Sequence, residues 1–348
     1  MVFYERRSIL VLFIGLLLCI TIWRASQPQL VPTTELTFRY GLPPQHAASG
    51  GNATNHPNGI ATLLATLDDD PPQRDKHKLI DLVNFEYIIE QKSCSELHVQ
   101  PLVLILVHSA PGNGEKRALI RRTWGRDDVR ARLLFLLGAV ASPKVQGELE
   151  VENARHGDLV QGNFIDAYRN MTYKHAMALK WFTYSCPEAH FLLKTDDDVF
   201  VNSPTMFDFL ENGVDRRRLV ACYEVQEARV KRSYRSKWRV STKEYPGKYY
   251  PAYCPGFSII YSPDAVVLLY REAQRNPYFW IDDVHVTGTL VQKTNMTITP
   301  LNPLFLTRTQ MNSIVNGRLN ATSSLFFFTI PDLKEYEIVT LWKIVTER

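Results

Sequence analysis

His190-Phe-Leu-Leu-Lys-Thr-Asp-Asp-Asp-Val-Phe200 is the stretch on which the fold is decided. A short apolar run passes, with no turn residue, into three consecutive carboxylates. An apolar run of this length reads as a strand buried on both faces of a parallel sheet. Ligands of open α/β sheets bind beyond the carboxyl ends of the strands, and Asp196, Asp197 and Asp198 fall there. Outward from this strand the same pattern repeats. Pro101-LVLILVHSA and Arg132-LLFLLGAV are buried strands, and shorter ones are expected at 219–223 and 257–262. Helical stretches are expected at 115–124, 146–155, 172–184, 205–211 and 284–293. Strands alternating with helices give an α/β domain around a mostly parallel sheet.

The rest of the 348 residues bound what that domain serves. With 45% hydrophobic and 22% charged residues the chain is globular, neither disordered nor fibrous. Its net charge of +4 and the absence of a nucleic-acid motif argue against a nucleic-acid binder. Residues 8–23, SILVLFIGLLLCITIW, form an uncharged apolar run preceded by Arg6 and Arg7 and closed by Arg24. Ile22-Trp23-Arg24 makes a poor signal-peptidase site, while Trp23 suits a membrane interface. The organisation expected is a cytoplasmic tail at 1–7, a transmembrane signal-anchor at 8–23, a luminal stem at 24–100 rich in Pro and Gly, and a catalytic domain at 101–348. Sequons at Asn52, Asn170, Asn295 and Asn320 agree with a luminal, type II placement.

The chemistry concentrates at the Asp triplet. Strand alternation turns Asp196 and Asp198 to one side and Asp197 to the other. Two carboxylates at a strand end make a hard-oxygen site for Mg²⁺ or Mn²⁺, completed by substrate phosphates and water. An acidic loop is the plain alternative. A haloacid-type phosphatase also uses two spaced acids, but its Thr or Val is replaced here by Phe200. A second acidic pair, Asp282-Asp283, opens the helix at 284–293, where one acid caps the helix and the other is free to act as general base. Arg117 and Arg121 follow Gly112 and Gly114 after the first long strand, a setting that suits a phosphate-bearing ligand or a solvated basic face. No Walker motif and no GxGxxG is present. The cations from Arg229 to Arg239 form a basic loop, read as surface or as a cover over an anionic donor.

Eight motifs, in order, give these residues a family likeness. They are Arg117-x3-Ile120-Arg121-x-Thr123-Trp124-Gly125, Phe135-Leu136-Leu137-Gly138, Glu152 with His156-Gly157-Asp158, Asp166-x-Tyr168-x-Asn170-x-Thr172-x-Lys174, Lys194 to Asn202, Lys237-Trp238, Tyr250-Pro251-x-Tyr253-Cys254-x-Gly256, and Asp283-Val284. Together they resemble the β-1,3-galactosyltransferases and β-1,3-N-acetylglucosaminyltransferases of glycosyltransferase family 31, over residues 102–301. The resemblance implies a GT-A-like, Rossmann-type fold, a type II Golgi membrane enzyme, a UDP-sugar donor, a glycoprotein or glycolipid glycan as acceptor, and Mn²⁺. It assigns Asp198 and Asp196 to the metal, Asp283 to the base with Asp282 beside it, and Arg117, Arg121, Lys194, Asp196 and Asp197 to the UDP-sugar. The chain departs from the family pattern at Asp282, where Glu is common, and at Ser258, where a second Gly is common. The expected reaction is inverting transfer of galactose. Transfer of N-acetylglucosamine is the alternative, and an inactive luminal carbohydrate-binding protein is the reading from another class. Four cysteines beyond the apolar run allow three pairings, and Cys94–Cys186 with Cys222–Cys254 are expected.

Overall fold

The computed structural model describes residues 75–347 apart from 213, 215, 216 and 320–324. The apolar run at 8–23, most of the stem, and the sequons at Asn52 and Asn320 lie outside the described residues. Among the described residues no helix is long and apolar enough to cross a membrane.

In chain order the elements are β1 (Tyr87–Ile89), β2 (Val103–His108), α1 (Gly114–Arg122), β3 (Ala131–Ala139), α2 (Pro143–His156), β4 (Leu159–Ile165), α3 (Met171–Ser185), β5 (Phe191–Asp196), α4 (Ser203–Glu211) and β6 (Val220–Cys222). They continue with β7 (Ser258–Tyr261), α5 (Pro263–Arg275), a π-helical segment (Asp283–Leu290), β8 (Thr299–Pro300), β9 (Phe305–Leu306), α6 (Arg308–Val315), β10 (Phe328–Thr329) and α7 (Glu335–Thr346). The main sheet has eight strands in the order β1-β4-β3-β2-β5-β7-β6-β8. Its β4-β3-β2-β5 centre is parallel, and β1 and β7 pair antiparallel with their neighbours. The expected α/β sheet is therefore present in mixed form.

Alternation along the strands builds two cores. Val103, Ile105, Val107, Phe135, Phe191 and Leu193 face α1, α2, α4, α6 and α7. Leu104, Leu106, Leu136 and Leu192 face α3 and α5. Both faces are covered, which is why the central strands read as unbroken apolar runs. From β2 the chain crosses to β3 on one side, and β5 returns on the other. The crevice between β2 and β5 is thus a topological switch point. In their register His108 lies beside Asp196, so the acids stand at that point.

The folded region starts before the boundary expected at residue 101. β1 pairs with β4, and Leu79, Ile80 and Phe85 are buried in the core facing α3. The Lys180 ammonium on α3 donates to the carbonyls of Asp75 and Lys78 at 2.5 and 2.9 Å, which locks this segment in place. Strand β4 and helix α5 also went unread. In β4 the polar triplet Gln161-Gly162-Asn163 interrupts the apolar signal. Buried Gln161 keeps its place by donating to the Gly138 carbonyl at 3.0 Å.

Candidate active site

The site is built at the end of β5. Lys194 is buried, and its ammonium donates to Asp196 Oδ1 at 2.9 Å and to the Gly256 carbonyl. Asp196 and Asp198 stay partly open while Asp197 is buried, as strand alternation predicted. Asp197 turns back to the loop after β2, accepting bonds from Ser109 Oγ and Asn113 Nδ2 at 2.8 Å each and from Lys116 Nζ at 3.0 Å. With both oxygens engaged, it holds that loop against the strand end. Asp197, expected at the sugar nucleotide, is thus placed against the loop after β2.

Asp198 is the opposite case. Its side chain makes no hydrogen bond or ion pair among the described residues. Burial, and next the charge of Asp196, push its carboxyl up to about 6. Burial also raises Asp196 above its ordinary value, against the pull of Lys194. Two adjoining, under-compensated carboxylates offer only hard oxygen donors. That donor set fits a divalent cation of the Mg²⁺ or Mn²⁺ kind.

Asp282 and Asp283 stand at the start of the π-helical segment, a helix form often found at functional sites. Their environments differ. Asp282 Oδ2 lies 3.1 Å from His175 Nδ1 on α3. Burial pushes Asp282 up, but the His175 bond and the Lys194 charge outweigh it and hold the carboxyl below its ordinary value. Burial and the Asp282 charge raise Asp283 well above the ordinary range, with Lys194 and the Gly256 N–H only partly offsetting them. The two acids are pushed apart in acidity by their surroundings, which is how neighbouring carboxyls take different roles. Gly256 makes room for the pair: a Cβ there would meet Asp283 Oδ1 at 2.4 Å and Lys194 Nζ at 2.8 Å.

Both aspartates line a cavity of about 340 Å³ whose walls include Tyr168, Trp238, Tyr250, Tyr253 and Trp280. Arg229 and Lys231 of the basic loop line it too. Trp280 Nε1 and Tyr250 Oη are buried with no hydrogen-bond partner among the described residues. A wall of aromatic faces suits the stacking of a sugar ring.

Arg117 joins the Asp triplet only through Ser109 Oγ, and Arg121 turns to α2. The Arg117 guanidinium is 1% exposed, and its bonds run to Glu152 at 2.8 and 2.6 Å, Ser109 Oγ, and the Ala110 and Pro111 carbonyls. Arg121 forks onto Asp158 at 2.7 and 2.8 Å and donates to Glu152. Those acids come from Glu152 and the His156-Gly157-Asp158 motif, so two of the sequence motifs are one ion-pair cluster between α1 and α2. Both arginines, expected at the phosphates, have their donors engaged in this cluster. Lys174 behaves alike, bonding Asp166 Oδ2 at 2.8 Å and the Ser109 carbonyl at 2.7 Å.

Asn295 is exposed at a helix end, and Asn170 is half-buried with its amide donating to the Ile165 carbonyl at 2.8 Å. Both expected disulfides are present, Cys94–Cys186 and Cys222–Cys254. The second ties β6 to the segment that carries Gly256.

Residues 115–302 match the family described as Galactosyltransferase. The chain belongs to that family. Among its relatives is the chimpanzee beta-1,3-galactosyltransferase 5, 32% identical over 207 residues, or 58% of this chain and 69% of that protein. The human N-acetyllactosaminide beta-1,3-N-acetylglucosaminyltransferase 4 is 31% identical over 288 residues, covering 80% of this chain and 72% of that one. A solved structure of the bifunctional glycosyltransferase WbbM aligns with a TM-score of 0.38 at 10% identity, over 74% of this chain and 50% of that one.

His175, Tyr261 and the cavity aromatics were not singled out in the sequence as site residues. The signal for His175 was present: a lone imidazole between Lys174 and the apolar run Ala176–Leu179 on a helix. His285 stays outside the chemistry; it is buried, and its imidazole is pushed down to about 4 by burial.

Proposed function

We propose that this member of the galactosyltransferase family is an inverting β-1,3-hexosyltransferase that moves galactose from UDP-galactose to a glycan hydroxyl. The observation that carries the reading is Asp283, a carboxyl in the cavity wall, gathered by Lys194 into one charged cluster with Asp196 at the end of β5. In this reading the acceptor sugar lies in the aromatic cavity, against the rings of Trp238, Tyr250 and Trp280. Asp283 takes the proton from the acceptor 3-hydroxyl as that oxygen attacks the anomeric carbon. The bond from that carbon to the diphosphate oxygen breaks, UDP departs with the electron pair, and an α-linked donor becomes a β-linked product. Asp198, assisted by Asp196, would hold a divalent cation, Mn²⁺ in the family, which supplies charge neutralisation for the diphosphate. Lys194 balances the acids and keeps them within one cluster.

N-acetylglucosamine is the second donor considered. It is favoured by the relative that aligns over the larger share of this chain, which is named for that transfer. The run at 8–23 supports a single-pass Golgi placement with the catalytic domain luminal. A donor panel decides the sugar. The full-length protein in detergent is given Mn²⁺, a β-linked disaccharide acceptor and each UDP-sugar in turn, and UDP release is read. Release with UDP-galactose alone supports the first reading, and release with UDP-N-acetylglucosamine alone replaces it with the second. No release with any donor favours the carbohydrate-binding reading.

A further inference from the structure

His175 has no part in the scheme above, yet it sits at the centre of it. It is completely buried on α3. One ring nitrogen, Nδ1, faces Asp282 Oδ2 at 3.1 Å, and the other, Nε2, faces the Tyr261 hydroxyl on β7 at 3.0 Å. Burial lowers the pKa of His175 despite Asp282, which favours the neutral ring with one proton. The tyrosine hydroxyl has a proton to give, and Asp282 is held ionised and can only accept. The one arrangement that satisfies every atom has Tyr261 donating to Nε2 and Nδ1–H donating to Asp282. The groups packed around the ring are His108, whose ring stands edge-on at 5.7 Å, and the charges of Lys194 and Asp196.

We propose that His175 is a positioning residue for transfer, fixed by Tyr261 and acting through Asp282 to set the geometry and charge of the carboxylate beside the base. An Asp282 carboxylate pinned by this proton keeps one orientation toward Asp283, from whose carboxyl it also accepts a hydrogen bond. Asp283 is then left as the single group that titrates toward the acceptor. A third group that orients the partner of a catalytic group is the logic of hydrolytic triads, and here the oriented partner is a second carboxylate. The proposal rests on Asp283 being the base.

The test is a double-mutant cycle in the full-length enzyme with UDP release as the rate and UDP affinity titrated separately. His175→Leu removes both bonds, whereas His175→Asn keeps an amide donor where Nδ1–H stood. Loss of a positioning contact costs about 100-fold in rate when a reacting group shifts by about an ångström. His175→Leu is expected to lose kcat on that scale with the UDP-sugar KM unchanged. His175→Asn recovers most of it. In an Asp282→Asn background, His175→Leu has no further effect, because its route is already cut. Equal losses in Leu and Asn variants, or a full loss on top of Asp282→Asn, would mean a packing role and overturn the proposal. Wild-type kcat in His175→Leu overturns it too. Asp283→Asn, measured alongside, separates the two readings. If it stays active, the base assignment fails. If it is dead while His175→Leu is normal, only the positioning inference fails.

Discussion

The pair Asp282-Asp283 shows how far single residues can be read. Spacing and a helix start made both candidates, but their difference depends on His175, Lys194 and Gly256, which lie far away in sequence. Asp283→Asn should lower kcat by about 10²–10⁴-fold and leave UDP binding unchanged, since the amide keeps the shape and cannot take a proton. Asp282→Asn should cost less. Burial raises Asp283, and only the ionised form is a base, so kcat/KM should fall on acidification at a pH above the usual carboxylate range. The linkage sign follows from the same shift. A carboxyl raised on folding contributes stability that is complete below its unfolded pKa and is lost as pH rises through the folded pKa. Asp283→Asn escapes that loss. Its Tm should exceed the wild-type value by a margin that grows with pH, measured by thermal unfolding across a pH series. Asp198 belongs to this scale also. Asp198→Ala should abolish transfer and cation-dependent UDP binding while the fold survives, and excess chelator should do the same to the wild type. Undiminished turnover in chelator would rule out the cation.

At the scale of elements, the central strands were legible because both their faces are buried, so β2, β3 and β5 announce themselves as apolar runs. Strand β4 was not, since its Gln161 is satisfied by Gly138 across the sheet and looks like loop sequence. The same limit applies to Arg117 and Arg121. A cation after a glycine loop looks like a phosphate ligand until the acids that meet it, Glu152 and Asp158, are placed by the packing of α2. Removing a buried hydrogen-bonded cation here costs about 1–3 kcal/mol, because Arg121 still pairs Glu152 while the Arg117 acceptors lose their donor. Arg117→Met should therefore lower stability on that scale in denaturant unfolding, and UDP affinity of the remaining folded protein should hold. Unchanged stability with lost UDP affinity would return Arg117 to the nucleotide.

For the whole molecule, the sequence carried the alternation of strands and helices and the acids at a strand end, and the cysteine pairs expected among three possible pairings are present. It did not carry the point where folding begins. Composition changes near residue 100, yet Leu79, Ile80 and Phe85 fill the core beneath α3, β1 completes the sheet beside β4, and Cys94 closes the bridge to Cys186. These contacts are spread over short segments with little periodicity of their own, so no local pattern marks them as part of the domain. A chain that starts at residue 101 loses all of them at once. It uncovers the apolar side of α3, leaves Cys186 unpaired, and strips the Lys180 ammonium of its two carbonyl partners. The bridge alone is worth about 2–5 kcal/mol in a secreted domain, and a buried ammonium left with only the Tyr270 hydroxyl adds to the cost. Against a total stability of about 5–15 kcal/mol, the sum is enough to unfold the domain. Secreted fragments 75–348 and 101–348 should thus differ sharply: the longer one soluble, protease-resistant and binding UDP, the shorter one retained or degraded. If fragment 101–348 is secreted with a cooperative unfolding transition and the same UDP affinity, then the segment before it only decorates the domain.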